Sequence, residues 1–179
     1  MSELIGRDKT QSREVSENAS AISETAKRLV VNMRDLIWAL EPENMTLEGL
    51  IARIREYAAD YLEDVSLDLN LSTDKDIPPL PIKREFHREL LMVVKESLNN
   101  IVKHSNANQV DLMIRLAKNV LLISIKDNGV GIPESAKPGN GLKNMKNRIE
   151  DLGGEFRVET NSKGTLIDVK VPLNDLLRR

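Results

Sequence analysis

The sequence predicts an α+β fold, a two-layer α/β sandwich in which a mixed, mainly antiparallel sheet is layered against helices and one long helix precedes it. Three observations carry this expectation. From about residue 46 onward, segments of helical and of period-two hydrophobicity alternate, without the regular strand–helix–strand rhythm of a doubly wound parallel sheet. One run, Val120-Leu-Leu-Ile-Ser-Ile125, is apolar on both faces, as a central strand is. Ahead of these, Val15, Ala19, Ile22, Ala26, Leu29, Met33, Leu36 and Leu40 step 4-3-4-3-4-3-4, a heptad seam.

Composition narrows the function classes. At 179 residues the chain is long enough for one cored domain with an appendage. Its 26 basic and 28 acidic side chains give a net charge of −2, with no clustered basic excess of the kind a nucleic-acid or membrane surface needs. It has no cysteine, which excludes disulfides and thiolate-bound metals and suits a reducing compartment. No apolar run reaches membrane-spanning length, and Met1 is followed by polar residues rather than a signal peptide. A soluble, cytoplasmic chain is expected.

Taken in order, residues 1–12 are polar and patternless and read as a tail. The seam defines a helix over 13–42, widened by Val30 and Ile37 as in a helical bundle and ended by Pro42; dimerisation is its expected use. Trp38, in its last turn, reads as a packing anchor. Thr46 can cap a second helix carrying Leu50, Ile51, Ile54, Tyr57, Ala58, Tyr61 and Leu62 at helical spacing. Val65, Leu67, Leu69 and Leu71 alternate as a half-buried strand, and the prolines of Ile77-Pro-Pro-Leu-Pro81 impose an extended connector. A helix from Arg84 to about Ser105 follows, then strands over 109–116 and 120–125. A last helix presents Leu142, Met145, Ile149 and Leu152 on one face and stops at Gly153-Gly154; two strands joined by Asn161-Ser-Lys-Gly164 complete the domain. Residues 175–179 read as a tail.

Two stretches need more than packing to explain them. At 100° per residue Glu96, Asn100, Lys103 and His104 share one face of their helix, opposite Leu90, Leu91, Val94, Leu98, Ile101 and Val102. A carboxylate and a carboxamide are hard ligands, too few to cage a metal but suited to a magnesium ion that keeps waters and phosphate ligands. Lys103 and His104 would meet phosphate charge. The second stretch, Lys126 to Lys143, reads KDNGVGIPESAKPGNGLK directly behind the apolar strand. There Asp127 needs a donor partner such as a ligand's amine, Gly129 and Gly131 permit close backbone approach, and Gly139 and Gly141 precede a helix start able to hold phosphate. His87 falls on the apolar face near Leu91 and Val94 and reads as a packed histidine.

These residues resemble a known family. Glu96-Ser-Leu-Asn-Asn100-Ile-Val-Lys-His104 is similar to the N box of histidine-kinase-type ATPases, Asp127-Asn-Gly-Val-Gly131 to the first glycine box, Gly139-Asn-Gly-Leu142 to the second, and Gly164-Thr165 to the late Gly-Thr pair. The resemblance covers roughly 46–173, in family order. The short lid resembles the nitrate-sensor-like branch, and Asn32 to Pro42 resembles the end of that branch's second dimerisation helix.

The resemblance implies a Bergerat ATP-binding fold over 46–174, behind one helix of a dimerisation hairpin. It implies ATP and magnesium as ligands, with Asn100 on the metal and Glu96 orienting or polarising a group beside the γ-phosphate. Lys103 and His104 would face phosphates. Asp127 would accept from the adenine amine, Gly129, Gly131 and Thr165 would shape the pocket, and Gly139, Gly141 and the Leu142 amide would belong to the lid. Expected partners are a histidine-bearing dimerisation helix, a second copy in a full-length homodimer, and a response regulator, but no nucleic acid. The family's acceptor histidine has no counterpart here, so the chain reads as part of a sensor histidine kinase, cytoplasmic even where the full-length protein is a membrane receptor. The alternatives are a hydrolytic ATPase with the same site and an anti-sigma-type kinase or interaction module.

Overall fold

The structure, a computed structural model, describes residues 45–133 and 140–173, together with Ile22 and Met33. The chain divides into two units, Met1–Pro42 and Glu43–Arg179, and the fold below is that of the second. The two tails, Trp38, Pro42, Gly139 and all of the heptad helix except Ile22 and Met33 lie outside the described residues; those two are helical and exposed.

The domain runs α1 (Leu47–Glu63), β1 (Asp68–Thr73), α2 (Arg84–His104), β2 (Gln109–Ala117), β3 (Val120–Asp127), α3 (Asn140–Asp151), β4 (Glu155–Asn161) and β5 (Gly164–Pro172). The sheet order is β1-β2-β3-β5-β4, with β1 and β2 parallel and every other pair antiparallel. This is the two-layer α/β sandwich, with the core between the helices and one sheet face.

Helix α1 starts where a cap is available. Thr46 is extended (φ −122°, ψ 161°) and its Oγ1 accepts the Gly49 N–H at 3.1 Å, satisfying an amide that the helix cannot. Leu47, Leu50, Ile54, Ala58 and Leu62 then bury one stripe. The strand expected from Val65 begins only at Asp68. Helix α1 unwinds through residues 64–67, where Ser66 is left-handed (φ 56°) and the Ser66 and Leu67 amides bond back to Glu63 and Leu62. Of the alternating residues only Leu69 and Leu71 therefore lie in the strand, and Val65 stays exposed. Beyond β1, the proline-rich connector lies extended against the start of α1: Leu47 N–H donates to Leu80 O at 2.8 Å and Ile82 N–H to Met45 O at 2.9 Å.

Helix α2 is the crossover between the parallel strands β1 and β2. Phe86, Leu90, Val94 and Leu98 are all but fully buried, each side chain contributing about 1.5–3 kcal/mol. His87 is buried with them, 3% exposed. Strand β3 is the middle strand, and Leu121, Ile123 and Ile125 point into the core. It continues past the expected end at Ile125 to Asp127, which pairs with Val110. The period of two places Asp127 on the same face as those apolar residues, which is why a carboxylate ends up inside. Helix α3 buries Met145 and Ile149 and stops at left-handed Gly153 (φ 70°), with the Gly154 N–H returning to Ile149 O at 2.9 Å.

Candidate functional site

A cavity of about 470 Å³ opens between α2, the end of β3, the start of α3 and the start of β5. Glu96, Asn100 and His104, successive turns of α2, line one wall together with Ser97, Ile101 and Ser105. Lys103 is exposed and lies outside this wall. The reason is angular: at 100° per residue the lining positions centre about 90° round the helix from Glu96, whereas Lys103 falls about 20° to the other side. Sharing a projected face with Glu96 did not guarantee sharing a cavity.

Asp127 forms the floor. It is 2% exposed, and its two carboxylate oxygens accept backbone donors, Oδ1 from the Gly129 N–H at 2.8 Å and Oδ2 from the Thr165 N–H at 3.2 Å. The buried charge is thus already paired within the chain, where the sequence suggested that a ligand supplies the donor. A carboxylate has about four acceptor positions, so two remain for the cavity that Asp127 lines.

Backbone crowding explains the glycines around it. A Cβ on Gly164, whose φ is +126°, would stand 2.0 Å from Asp127 O. Only glycine lets β5 begin so close to the end of β3, and this approach delivers the Thr165 amide and hydroxyl to the site. Gly129 packs on the Ser105 carbonyl outside the cavity wall, whereas Gly131 lines it. The loop is pinned by Asn128, whose Oδ1 accepts the Asn108 and Gln109 amides, both at 3.1 Å.

The other end of the cavity is made where α3 meets α2. A Cβ on Gly141 would lie 2.6 Å from Glu96 Oε1 and 3.7 Å from Asn100 Nδ2, so the first turn of α3 rests directly on those two side chains. Leu142 lines the cavity beside it. Between the two ends, Ile101, Ile125, Ile132 and Ile167 supply apolar walls suited to a flat ring. Among the described residues no group of three or more histidine, cysteine or acidic side chains could hold a metal. The Asn100 carboxamide and Glu96 carboxylate fit only an ion that keeps waters and substrate oxygens, as magnesium does.

Residues 87–175 match the family of histidine kinase-, DNA gyrase B- and HSP90-like ATPases. This domain belongs to that family. The ATPase domain and its flanking residues are 26% identical over 166 residues to the oxygen sensor histidine kinase NreB of Staphylococcus carnosus, covering 90% of this chain and 47% of NreB. They are 31% identical over 144 residues to the sensor histidine kinase LiaS of Bacillus subtilis, covering 79% of this chain and 39% of LiaS. The chain therefore spans less than half the length of either relative. The histidine kinase domain of a blue-light-activated kinase from Erythrobacter litoralis has the same fold, with a TM-score of 0.62 at 21% identity over 71% of this chain and 66% of that one.

In the ATPase domain the N-box helix is α2, the first glycine box leaves β3, the second opens α3, and the Gly-Thr pair opens β5. The structure brings Glu96, Asn100, His104, Asp127, Gly131, Gly141, Leu142 and Thr165 to one cavity and leaves Lys103 and Gly129 outside its wall. Sequence reasoning missed Asn128, Ser105 and the four isoleucines. The isoleucines carried no signal separating a cavity wall from ordinary core, but Asn128, set before a glycine at a strand end, had the chemistry of a turn-fixing side chain.

Proposed function

We propose that this chain is the ATP-binding catalytic part of a two-component sensor histidine kinase, which transfers the γ-phosphoryl group of magnesium-ATP to a histidine on a dimerisation helix. One observation carries the reading: a single apolar cavity has a buried acceptor, Asp127, at one end and a polar line, Glu96, Asn100 and His104, under a helix start at the other. Those ends match an adenine and a triphosphate.

Asp127 accepts from the adenine amine while its backbone bonds hold it rigid, and the Thr165 hydroxyl, 3.3 Å from that of Thr160, completes the base pocket. Asn100 would hold magnesium, which would neutralise phosphate charge when bound. His104 donates to phosphate oxygens, and Lys103 adds positive charge from outside the wall. Gly141 and the Leu142 amide meet the triphosphate. As the bond from the γ-phosphorus to the β-bridging oxygen breaks and one forms to an imidazole nitrogen, Glu96 orients and polarises the incoming ring. The protein's contribution is positioning and charge stabilisation.

The acceptor is not in this domain. Of the chain's two histidines, His87 is buried and His104 lines the nucleotide cavity, so neither can approach in line as a nucleophile. The acceptor belongs to a helix paired with the segment 13–42, and the domain 46–174 serves it. Ile22 and Met33 support such a pairing, being exposed at 70% and 60% along the predicted seam. A homodimer of the full-length protein, a response regulator downstream and a cytoplasmic location complete the proposal.

The test is calorimetric titration with ATP, with magnesium and with EDTA, followed by labelling with γ-labelled ATP after mixing with a chain carrying a relative's histidine-bearing helix. Magnesium-dependent binding and acid-labile, base-stable label on the added helix are expected. Absence of ATP binding, or that label on this chain by itself, overturns the reading.

A further inference from the structure

We propose that Glu89 and Arg148 are positioning residues, setting the axial register of α3 along α2 and so holding the start of α3 on Glu96 and Asn100. This rests on the ATP-site reading above and adds residues that lie outside the cavity wall.

The two helices meet along a seam of three rungs. Gly141 lies on Glu96, Met145 Sδ packs 3.3 Å from the Ser97 hydroxyl, which donates to Val93 O at 2.8 Å, and Arg148 forms an ion pair with Glu89. The end rungs run in opposite senses, 141 with 96 and 148 with 89, so the helices are antiparallel; the rungs recur at one-turn steps on α3, and the long Met145 side chain reaches one residue beyond Glu96 along α2. The middle of the seam is apolar, with Met145 and Ile149 buried. Such contacts are non-directional: they fix that α3 packs on α2, not how far along it sits. The ion pair is the directional member.

Glu89 is 7% exposed, and Arg88, its neighbour on α2, also reaches it at 2.6 Å. Arg88 travels with Glu89 and carries no information about α3. Arg148 does. A slip of one turn, about 5.4 Å, parts Arg148 from a carboxylate that is costly to leave short of partners, and it carries Gly141 off Glu96 by the same distance. Gly141 is the position where α3 has no side chain between its backbone and the carboxylate, so the correct register is also the one in which its first amides reach the phosphate end.

The test compares ATP with adenosine on three variants, Glu89→Gln, Arg148→Met and the pair together. Adenosine engages the Asp127 end, remote from α3, while ATP engages both. Expected are adenosine affinities within twofold of wild type, a loss of about tenfold in the ATP-to-adenosine affinity ratio for each single variant, and no further loss in the double variant. Arg148→Lys, which keeps the charge, is expected to recover part of the ratio. Equal weakening of both ligands would mark the pair as merely structural, and unchanged affinity for both would remove it from the site; either overturns the proposal. Should Glu89→Gln fail to fold, Arg148→Met and Arg148→Lys decide alone. A wild-type chain that binds adenosine and ATP equally would refute the ATP-site reading instead.

Discussion

Replacing Asp127 with asparagine separates two functions of one side chain. In the native domain both oxygens accept a backbone N–H, from Gly129 at 2.8 Å and from Thr165 at 3.2 Å, in a position 2% exposed. An amide has one acceptor oxygen, so whichever way it turns, its NH₂ faces one of those donors. The oxygen will keep the shorter bond to Gly129, leaving the Thr165 amide unsatisfied at a cost of about 1–3 kcal/mol. Taking about 2 kcal/mol, and about 3–5 °C per kcal/mol for a domain of this size, the melting temperature should fall by roughly 6–10 °C. The same turn points a donor where the adenine amine arrives, so ATP affinity should fall by about tenfold to a hundredfold. Circular-dichroism melting and calorimetric titration measure the two effects on one preparation. An unchanged melting temperature would refute the bracing role, and unchanged ATP affinity would remove Asp127 from base recognition.

Gly164→Ala should destabilise by about 3 kcal/mol or more, because a positive φ adds strain and the new methyl would meet the Asp127 carbonyl of β3, which cannot yield without disturbing the β3–β5 pairing. A loss under about 1 kcal/mol in urea denaturation would contradict that. Asn100→Ala should retain ATP binding but lose its tightening by magnesium, and equal magnesium dependence in both proteins would exclude Asn100 as a ligand. Burial pushes the Glu89 carboxyl up, but the hydrogen bonds and charges of Arg148 and Arg88 outweigh it, and its pKa lies below the ordinary carboxylate range. Its stabilisation is therefore present above the unfolded value and is lost as pH falls through the lowered folded one. Glu89→Gln should flatten the acid side of the stability profile, which melting curves between about pH 3 and 7 will show.

What could be read from the chain and what could not divide along sequence distance. Thr46 capping α1 and Gly153 ending α3 are local chemistry, acting within five residues, and the structure has both. The central position of β3 followed from its two apolar faces. The false strand start at Val65 shows the limit of alternation, since a helix ending in a left-handed serine can carry apolar residues at odd positions without extending. The Glu89–Arg148 rung was invisible because its partners are 59 positions apart, and each alone looks like a surface charge. In the site, motif order pointed to Glu96, Asn100 and Asp127. The exclusion of Lys103 depended on which side of α2 the first-glycine-box loop packs, a choice recorded by the Gly129–Ser105 contact and by the Val130 N–H donating to Ser105 O at 2.8 Å.

The sheet order also governs when in folding the domain acquires its cavity. Strands β2 and β3 are adjacent in sequence, joined by a tight turn at left-handed Lys118, and can zip early at little entropic cost. Strand β5 cannot. It pairs Leu121 with Val171, about fifty residues along the chain, after α3 and β4 have intervened. Its docking brings Gly164 and Thr165 to Asp127, so the floor of the cavity closes in the late, non-local phase of refolding. A nascent domain with α2 and the β2–β3 hairpin in place would already show helix and sheet by circular dichroism yet have nowhere to seat an adenine. Nucleotide added during stopped-flow refolding should accordingly bind with a lag behind the far-ultraviolet signal. Simultaneous recovery of the two signals would mean that β5 docks with the first hairpin.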